Sequence, residues 1–431
     1  MKTIWLVNPY GPIEGEKWRD YSFNQIGKYL AENSFNVVWW TSNFAHHFKK
    51  YRSEGWKDIQ VRENFTIRLV PSTSYKKNIS FGRFFKDYVF STNAKKMFLN
   101  LDKPDLIIES LNPLTMGNPT YKYSKKNNIP VIIDQMDIWP EFIVKQLNVI
   151  FRPFVNLLFL PIYFKRKRIY QNAKGFMALG RNYLDFALRI GKVSDKQKSV
   201  LVYNGIDTKN FHKLMQYEDT SELKNIIKND DIWFVFAGTL GPSYDIVNVL
   251  SCAESLEKSN QNVKFIFAGS GPLDNEVRLA QSKLKNVIFL GPLLPEQLAP
   301  IYKKCDIGLS TYTLKSNVDM PDKFYDYTAA GLAIINSLRG EVREIIEVEK
   351  VGINYNGGDK LSLISAINQC VESKRTLEIF KKNSSKLGTK YDSSKQNKKL
   401  LNMINDILEI KESGNTCKNN NQDDEENNIS L

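Results

Sequence analysis

Residues 319 to 335 read Asp-Met-Pro-Asp-Lys-Phe-Tyr-Asp-Tyr-Thr-Ala-Ala-Gly-Leu-Ala-Ile-Ile, and a lysine and a carboxylate within them carry most of the visible chemistry. The apolar run Ile307 to Leu309 predicts a strand leading into a polar loop, and Pro321 then suits the first position of a helix. Gly331 suits its end, and a second apolar strand follows. Lys323 and Asp326 are three apart and share one face near the positive end of that helix. Open backbone N–H groups beside an ammonium suit a phosphate. A carboxylate one turn deeper can accept hydrogen bonds from a ribose. The alternative is a solvated helix cation and a surface acid.

Three glycine turns stand in the same register. Trp233–Ala237 runs into Gly238-Thr239-Leu240-Gly241, Val263–Ala268 into Gly269-Ser270-Gly271-Pro272, and Val287–Leu290 into Gly291-Pro292. Each glycine follows a predicted strand and precedes a helical pattern, at the edge where open parallel sheets bind ligands. The chain has neither a Gly-x-Gly-x-x-Gly fingerprint nor a Gly-Lys-Ser/Thr phosphate loop, which argues against dinucleotide and ATPase readings. It also has no Asp-x-Asp pair of the kind that holds a divalent cation on a diphosphate. With three histidines and four unpaired cysteines, no metal and no cofactor is expected.

Asp137 follows a predicted strand and precedes Trp139-Pro140. It is either a general base or the N-cap of the next helix. Glu341 is either a polar ligand contact or a helix cap, and Arg19, in the loop with Gly15, is either an anion contact or a surface arginine. Residues 149–170 join an apolar run, carrying Arg152 and interrupted by two prolines, to Lys165, Arg166, Lys167 and Arg168. An apolar face with a cationic end fits the headgroup boundary of an anionic leaflet, at roughly 1 kcal/mol per basic residue. The alternative is a buried helix whose basic end completes its dipole.

The elements that must position these groups alternate between strand and helix. Strands are predicted at Ile4–Val7, Asn36–Thr41, Thr66–Val70, Asp105–Glu109, Val131–Asp134 and Gly175–Leu179, with a helix near Tyr21–Asn33; residues 72–100 show no clear periodicity. The pattern predicts an α/β chain of two doubly wound parallel-sheet domains, 1–195 and 196–390, with a linker near Lys192–Lys198. A helix in 391–411, over Ser394–Ile410, is expected to return to the first domain, and the polar tail 412–431 to be disordered. Residues 1–200 hold 32 Lys and Arg against 16 Asp and Glu, and residues 201–410 are neutral, so an anionic partner is expected on the first half. Unpaired cysteines indicate a reducing compartment, and no apolar stretch is long enough to span a bilayer.

Together these motifs resemble the large family 4 group of retaining glycosyltransferases, which have two facing Rossmann-like domains (the GT-B fold). The match is nearest to the bacterial branch that builds capsule or O-antigen polysaccharides. The resemblance rests on Pro321-x-Lys323-x-x-Asp326-Tyr327-x-Ala329-x-Gly331, Gly340-Glu341, Tyr203-Asn204-Gly205-Ile206-Asp207, the Gly238 turn and Asp137-Ile138-Trp139-Pro140-Glu141. Asn8-Pro9-Tyr10 with Arg19, and Phe44 to Phe48 around two histidines, fit that branch's first domain. It covers roughly residues 1–390.

The resemblance implies transfer of a sugar from a nucleotide-sugar donor, expected to be a UDP-sugar, to a lipid-linked or growing polysaccharide. It implies donor contacts from Asn204, Gly238, Thr239, Leu240, Gly269, Gly271, Gly291, Lys323, Asp326 and Glu341, with Asp137, Lys323 and Asp326 catalytic. Acceptor contacts fall on Gly15 and Arg19. The expected setting is cytoplasmic, on the inner face of the plasma membrane. The chain departs from the family pattern in three places: Val318 stands where a first glutamate is usual, with Asp319 next to it; Thr239, Ser243 and Tyr244 replace the usual Arg and Lys; and Met136 replaces a frequent His. An epimerase of the same fold would need more acid and base groups than this histidine-poor site offers. A nucleic-acid-binding protein would explain the charge, but no such module is recognisable, and no nucleic-acid partner is expected.

Overall fold

The computed structural model describes residues 1–16, 22–78, 80–111, 114–192, 197–226, 228–259, 261–314, 316 and 318–409. Arg19, most of the 192–198 linker and the 412–431 tail lie outside them.

The first half supplies β1 (Thr3–Val7), β2 (Asn36–Ser42), β3 (Phe44–Ala45), β4 (Lys50–Tyr51), β5 (Lys57–Arg62) and β6 (Phe65–Val70). It continues with β7 (Leu106–Ser110), β8 (Val131–Gln135), β9 (Gly175–Ala178) and β10 (Lys198–Leu201). Eight of these form one sheet in the order β10-β9-β8-β7-β1-β2-β6-β5, parallel except for β5, which runs antiparallel along the edge. β3 and β4 make a small separate hairpin. The central strands are mostly apolar because helices cover both faces, though β7 and β8 end in the buried Glu109, Ser110, Asp134 and Gln135.

The second half supplies β11 (Ile232–Ala237), β12 (Val263–Ala268), β13 (Val287–Gly291), β14 (Ile307–Ser310), β15 (Ala333–Asn336) and β16 (Gly352–Asn354). They form an all-parallel sheet in the order β13-β12-β11-β14-β15-β16. The order reverses beside β11 and β14, and such switch points open a crevice at the strands' C-terminal ends. Gly238 lies at one of those ends, and the loop toward Lys323 leaves the other.

The last helix, Ser393–Ile407, returns to the first sheet. Asp392 caps it, accepting from the Ser394 N–H at 3.0 Å, and also takes the Thr208 hydroxyl at 2.5 Å. Leu400, Met403 and Ile404, at helical spacing, are buried with the first sheet's core, each worth about 1.5–3 kcal/mol.

Two segments differ from the sequence expectation. Residues 81–98 form a helix, Phe81–Phe98. Its inner face includes Lys86, Asp87 and Ser91 beside Phe90, Ala94 and Phe98, so apolar periodicity does not mark it. Residues 152–172 form one continuous helix, and Pro161 does not interrupt it. Of its residues only Arg166, Ile169 and Tyr170 are buried, while Phe154, Leu157, Leu158 and Phe164 are 64–76% exposed. It is therefore not a core helix. Among the described residues, no helix is long and apolar enough to cross a membrane.

Candidate active site

The site grows from the turn after β14. Pro321 is the N-cap of the Asp322–Ala329 helix, so Asp322 rather than the proline takes the first helical position. Gly331 follows the helix with φ +69°, a conformation glycine adopts without strain. Phe324, Tyr325 and Tyr327 anchor the helix in the core, which fixes Lys323 on the remaining face.

Lys323 is 7% exposed, and its Nζ has no hydrogen-bond partner. It sits in an aromatic cage, 3.8 Å from the ring centroid of Phe236, 4.2 Å from Tyr244 and 5.2 Å from Tyr312. Burial holds its pKa well below the usual lysine range, and half-buried Asp326 pulls it back up. A methyl group built on Gly238 would lie 3.7 Å from this ammonium, so Nζ sits directly behind that exposed turn. A buried, unpaired cation is costly, and an incoming anion would relieve that cost.

The glycine turns work differently from the expectation. The Gly238 N–H is donated to the Ala268 carbonyl at 2.9 Å, so it is not a free phosphate donor. The Gly269 N–H goes to the Gly291 carbonyl at 2.7 Å, and the Gly271 N–H to Asp274 Oδ1 at 2.7 Å. A Cβ on Gly269 would fall 1.8 Å from the Gly238 carbonyl, and one on Gly271 2.4 Å from that of Leu240. These two glycines let neighbouring turns stack as a shelf. Leu240 is buried in the core, Thr239 is exposed on the shelf, and Gly291 closes β13 at φ +69°.

A seam joins the halves beside this shelf. The helix Arg181–Gly191 starts just after β9, and the Arg181 backbone N–H donates to Glu341 Oε2 at 2.7 Å. The Tyr203 hydroxyl donates to the other Glu341 oxygen. Asn182 Nδ2 donates to Asp319 Oδ1 at 2.6 Å, and Asn204 Nδ2 to Asp322 Oδ1 at 3.1 Å. Glu341 is 3% exposed with both oxygens engaged, so the structure makes it a bolt between halves rather than an open ligand for sugar hydroxyls. Gly340, not Glu341, is the N-cap of the following helix. Asn204 likewise holds the start of the Lys323 helix.

Asp319, the neighbour of Val318, is buried. Its Oδ2 has no partner and lies 2.4 Å from where a Cβ on Gly180 would be. Burial, then the nearby Glu341 charge, raises its pKa against the pull of Asn182. The structure adds Gly180, Arg181, Asn182 and Tyr203 to the site. Gly180, at a strand end before a helix, is their signal in the sequence.

On the first sheet's edge, Asp137 is exposed in the loop after β8. It does not cap the next helix, whose N-cap position is Pro140. Below it Asp134 is buried, and burial, then the Asp137 charge, pushes its carboxyl up to about 8. Gly15 sits in an exposed turn at φ +83°. Of the cations expected at a membrane, Lys165 and Arg168 are exposed and Lys167 half-buried. Arg166 is a correction: it is 3% exposed, grips Glu141 at 2.5 and 2.8 Å, and donates to the Trp139 carbonyl at 2.5 Å. Arg152 donates to the Leu147 and Lys145 carbonyls.

Solved structures match this architecture along nearly its whole length. Sucrose-phosphate synthase from Thermosynechococcus elongatus superposes with a TM-score of 0.69 at 14% identity, covering 95% of this chain and 100% of that one. HepE from Anabaena in complex with UDP-glucose gives 0.63 at 14% identity, covering 94% and 100%. WaaG, a glycosyltransferase involved in lipopolysaccharide biosynthesis, gives 0.63 at 14% identity, covering 93% and 99%. This is the GT-B fold. Residues 231–373 also match the family model for glycosyl transferases group 1. No curated protein sequence matches the chain. Within the GT-B frame, the Lys323 helix, the Gly238 shelf and the bolted seam all lie in or beside the matched segment.

Proposed function

We propose that the chain is a glycosyltransferase that moves a sugar from a nucleotide-diphosphate donor, a UDP-sugar, to a lipid-linked or growing surface polysaccharide. The observation that carries this reading is the Lys323 ammonium, buried, without a hydrogen-bond partner, and set behind the exposed Gly238 turn at the sheet's switch point. A leaving diphosphate develops negative charge, and a fixed, desolvated cation stabilises that charge more than a hydrated one does. Asp326 is placed to keep the lysine protonated. The match of residues 231–373 to glycosyl transferases group 1 supports transfer. The fold shared with HepE, solved with UDP-glucose, favours a uridine donor.

In this reading Asp137 orients or deprotonates the acceptor hydroxyl from the first half, a role worth roughly 10²–10⁴-fold when a carboxylate is the base. Retention of configuration follows from the family resemblance, and no nucleophile is assigned. The cation at the diphosphate is Lys323, and no metal is invoked. The exposed apolar face of the 152–172 helix, with Lys165, Lys167 and Arg168 at its far end, would hold the enzyme against an anionic leaflet. That placement suits the lipid-linked acceptor, and WaaG offers a structural parallel in lipopolysaccharide synthesis.

The test is a thermal-shift screen with UDP-, GDP- and ADP-sugars. A fitting UDP-sugar should stabilise the chain, and Lys323→Ala should abolish the shift while leaving a cooperative melt. Unchanged stabilisation of the variant would refute the site. A donor converted without any acceptor would instead indicate an epimerase.

A further inference from the structure

A second charged cluster lies beyond the C-terminal ends of β1 and β2, apart from the donor shelf. Tyr10 follows β1, His46 and Lys49 lie between β3 and β4, and Arg83, Lys86 and Asp87 come from the start of the Phe81–Phe98 helix. The Tyr10 hydroxyl lies 2.7 and 2.8 Å from the two Asp87 oxygens and accepts from Arg83 Nε at 3.0 Å. Lys86 is wholly buried, with Nζ 3.4 Å from Asp87 and 4.2 Å above the Tyr10 ring. Lys86 and Asp87 offset one another.

Lys49 and Arg83 remain as the surplus. Lys49 Nζ donates to Asn78 Oδ1 at 2.6 Å and lies 4.1 Å over the Tyr75 ring. Arg83 Nη1 donates to the Asn78 carbonyl at 3.1 Å. The two cations thus converge on one exposed asparagine, and among the described residues neither has an acidic partner within 4.0 Å. The positive field is felt next door. Burial, reinforced by Lys49 and Arg83, holds His46 down to about 3, so it stays neutral and bonds the Tyr75 hydroxyl.

The same helix carries an apolar stripe on its outer face. Phe81, Phe84, Phe85 and Tyr88, at helical spacing, are 93, 50, 58 and 60% exposed. The Arg83 guanidinium also lies 5.8 Å from the Trp139 ring, in the loop that carries Asp137. One helix therefore turns cations toward the acceptor side of the cleft and aromatics toward its surroundings.

We propose that this cluster binds the phosphate of an amphiphilic phosphate ester, with Lys49 and Arg83 as donors and the Phe81–Tyr88 stripe against its hydrocarbon chain. A guanidinium fork beside an ammonium suits the several oxygens of a phosphate better than the two of a carboxylate. The proposal deepens the acceptor side of the function above and rests on it only for the sugar-transfer step.

Calorimetry on the full chain tests it with two probes, dodecyl phosphate and inorganic pyrophosphate. Dodecyl phosphate should bind, and pyrophosphate should displace it more weakly. Arg83→Gln and Lys49→Gln should each weaken both by about tenfold or more, as expected for a lost charge-assisted bond. Phe84→Ser with Phe85→Ser should weaken dodecyl phosphate alone. Among the described residues the Lys49 ammonium has one hydrogen bond, to Asn78, and lies over the Tyr75 ring, so its variant should melt like the parent. Wild-type affinity for dodecyl phosphate in Lys49→Gln and Arg83→Gln would overturn the site. Pyrophosphate that displaces dodecyl phosphate, and so competes at this cluster rather than at Lys323, as tightly as dodecyl phosphate itself binds would overturn the lipid source in favour of a free phosphate. UDP-glucose binding should be equal in all these variants. A chain that binds dodecyl phosphate but no nucleotide sugar would sink the donor reading and leave this site standing.

Discussion

The two halves of the molecule handle charge in opposite ways. The first half carries a surplus of 16 positive charges; most of its described cations are exposed on helices and loops, and the buried Lys86 and Arg166 each have an acidic partner. The second half is neutral over residues 201–410, yet it holds the one buried cation that lacks a hydrogen-bond partner among the described residues. Surplus charge on a surface is screened by water and salt, whereas one ammonium in an aromatic cage is not. In the proposed function, burial sets where the anion site lies, and surface charge sets what the molecule rests against.

The sharpest loss should follow Lys323→Ala. Removing one preorganised donor from a developing oxyanion costs roughly 10²–10³ in rate, so transfer should fall by at least about that factor. Initial-rate measurements beside a melting curve check it, and a folded variant with near-parental rate would remove the contrast between the halves.

The membrane face comes next. Replacing Phe154, Leu157 and Leu158 with Ser, or Lys165, Lys167 and Arg168 with Gln, should cut sedimentation with anionic vesicles by about tenfold or more. Arg166 must stay, because it grips Glu141. Parental sedimentation of both variants would leave the surplus charge without its proposed surface.

At the seam, Glu341→Ala strands the Arg181 N–H and the Tyr203 hydroxyl. Losing hydrogen bonds to a buried charge should lower stability by about 1.5–3 kcal/mol, read by urea unfolding. If Glu341 instead binds the donor sugar, donor KM will rise with stability unchanged.

The smallest signature is a proton. Lys323 has a lowered pKa when empty, and a bound diphosphate favours its charged form, so donor binding should take up a fraction of a proton between the two pKa values. Donor affinity should accordingly fall as pH rises through a range below that of an ordinary lysine, about 10.4. Binding heats that do not vary among buffers of different ionisation enthalpy would contradict this. Lys323→Arg should flatten the dependence.

Local signals in the sequence reached most of the strands and the whole Lys323 segment. Most buried parallel strands are apolar runs, and Pro321 and Gly331 bracket the helix, with Pro321 one position ahead of where the sequence places it. The edge strand β5 alternates exposed and half-buried residues and so gives little apolar signal. The Phe81–Phe98 helix hides because its inner face pairs Lys86 with Asp87 while aromatics face out. Contacts such as Arg181 to Glu341 or Asn182 to Asp319 span more than a hundred residues, and no local spacing encodes them. The Gly238 turn was legible as a turn. That its N–H is already taken by Ala268 depends on how neighbouring strand ends stack, which only the fold reveals.

The most direct measurement is a calorimetric titration of UDP-glucose into the parent chain and into Lys323→Gln, at neutral pH and at two salt concentrations. Binding should be clear in the parent, only weakly dependent on salt because the cation is buried, and lost or weakened by about a hundredfold in the variant. Equal binding in both proteins would contradict a diphosphate site built on Lys323.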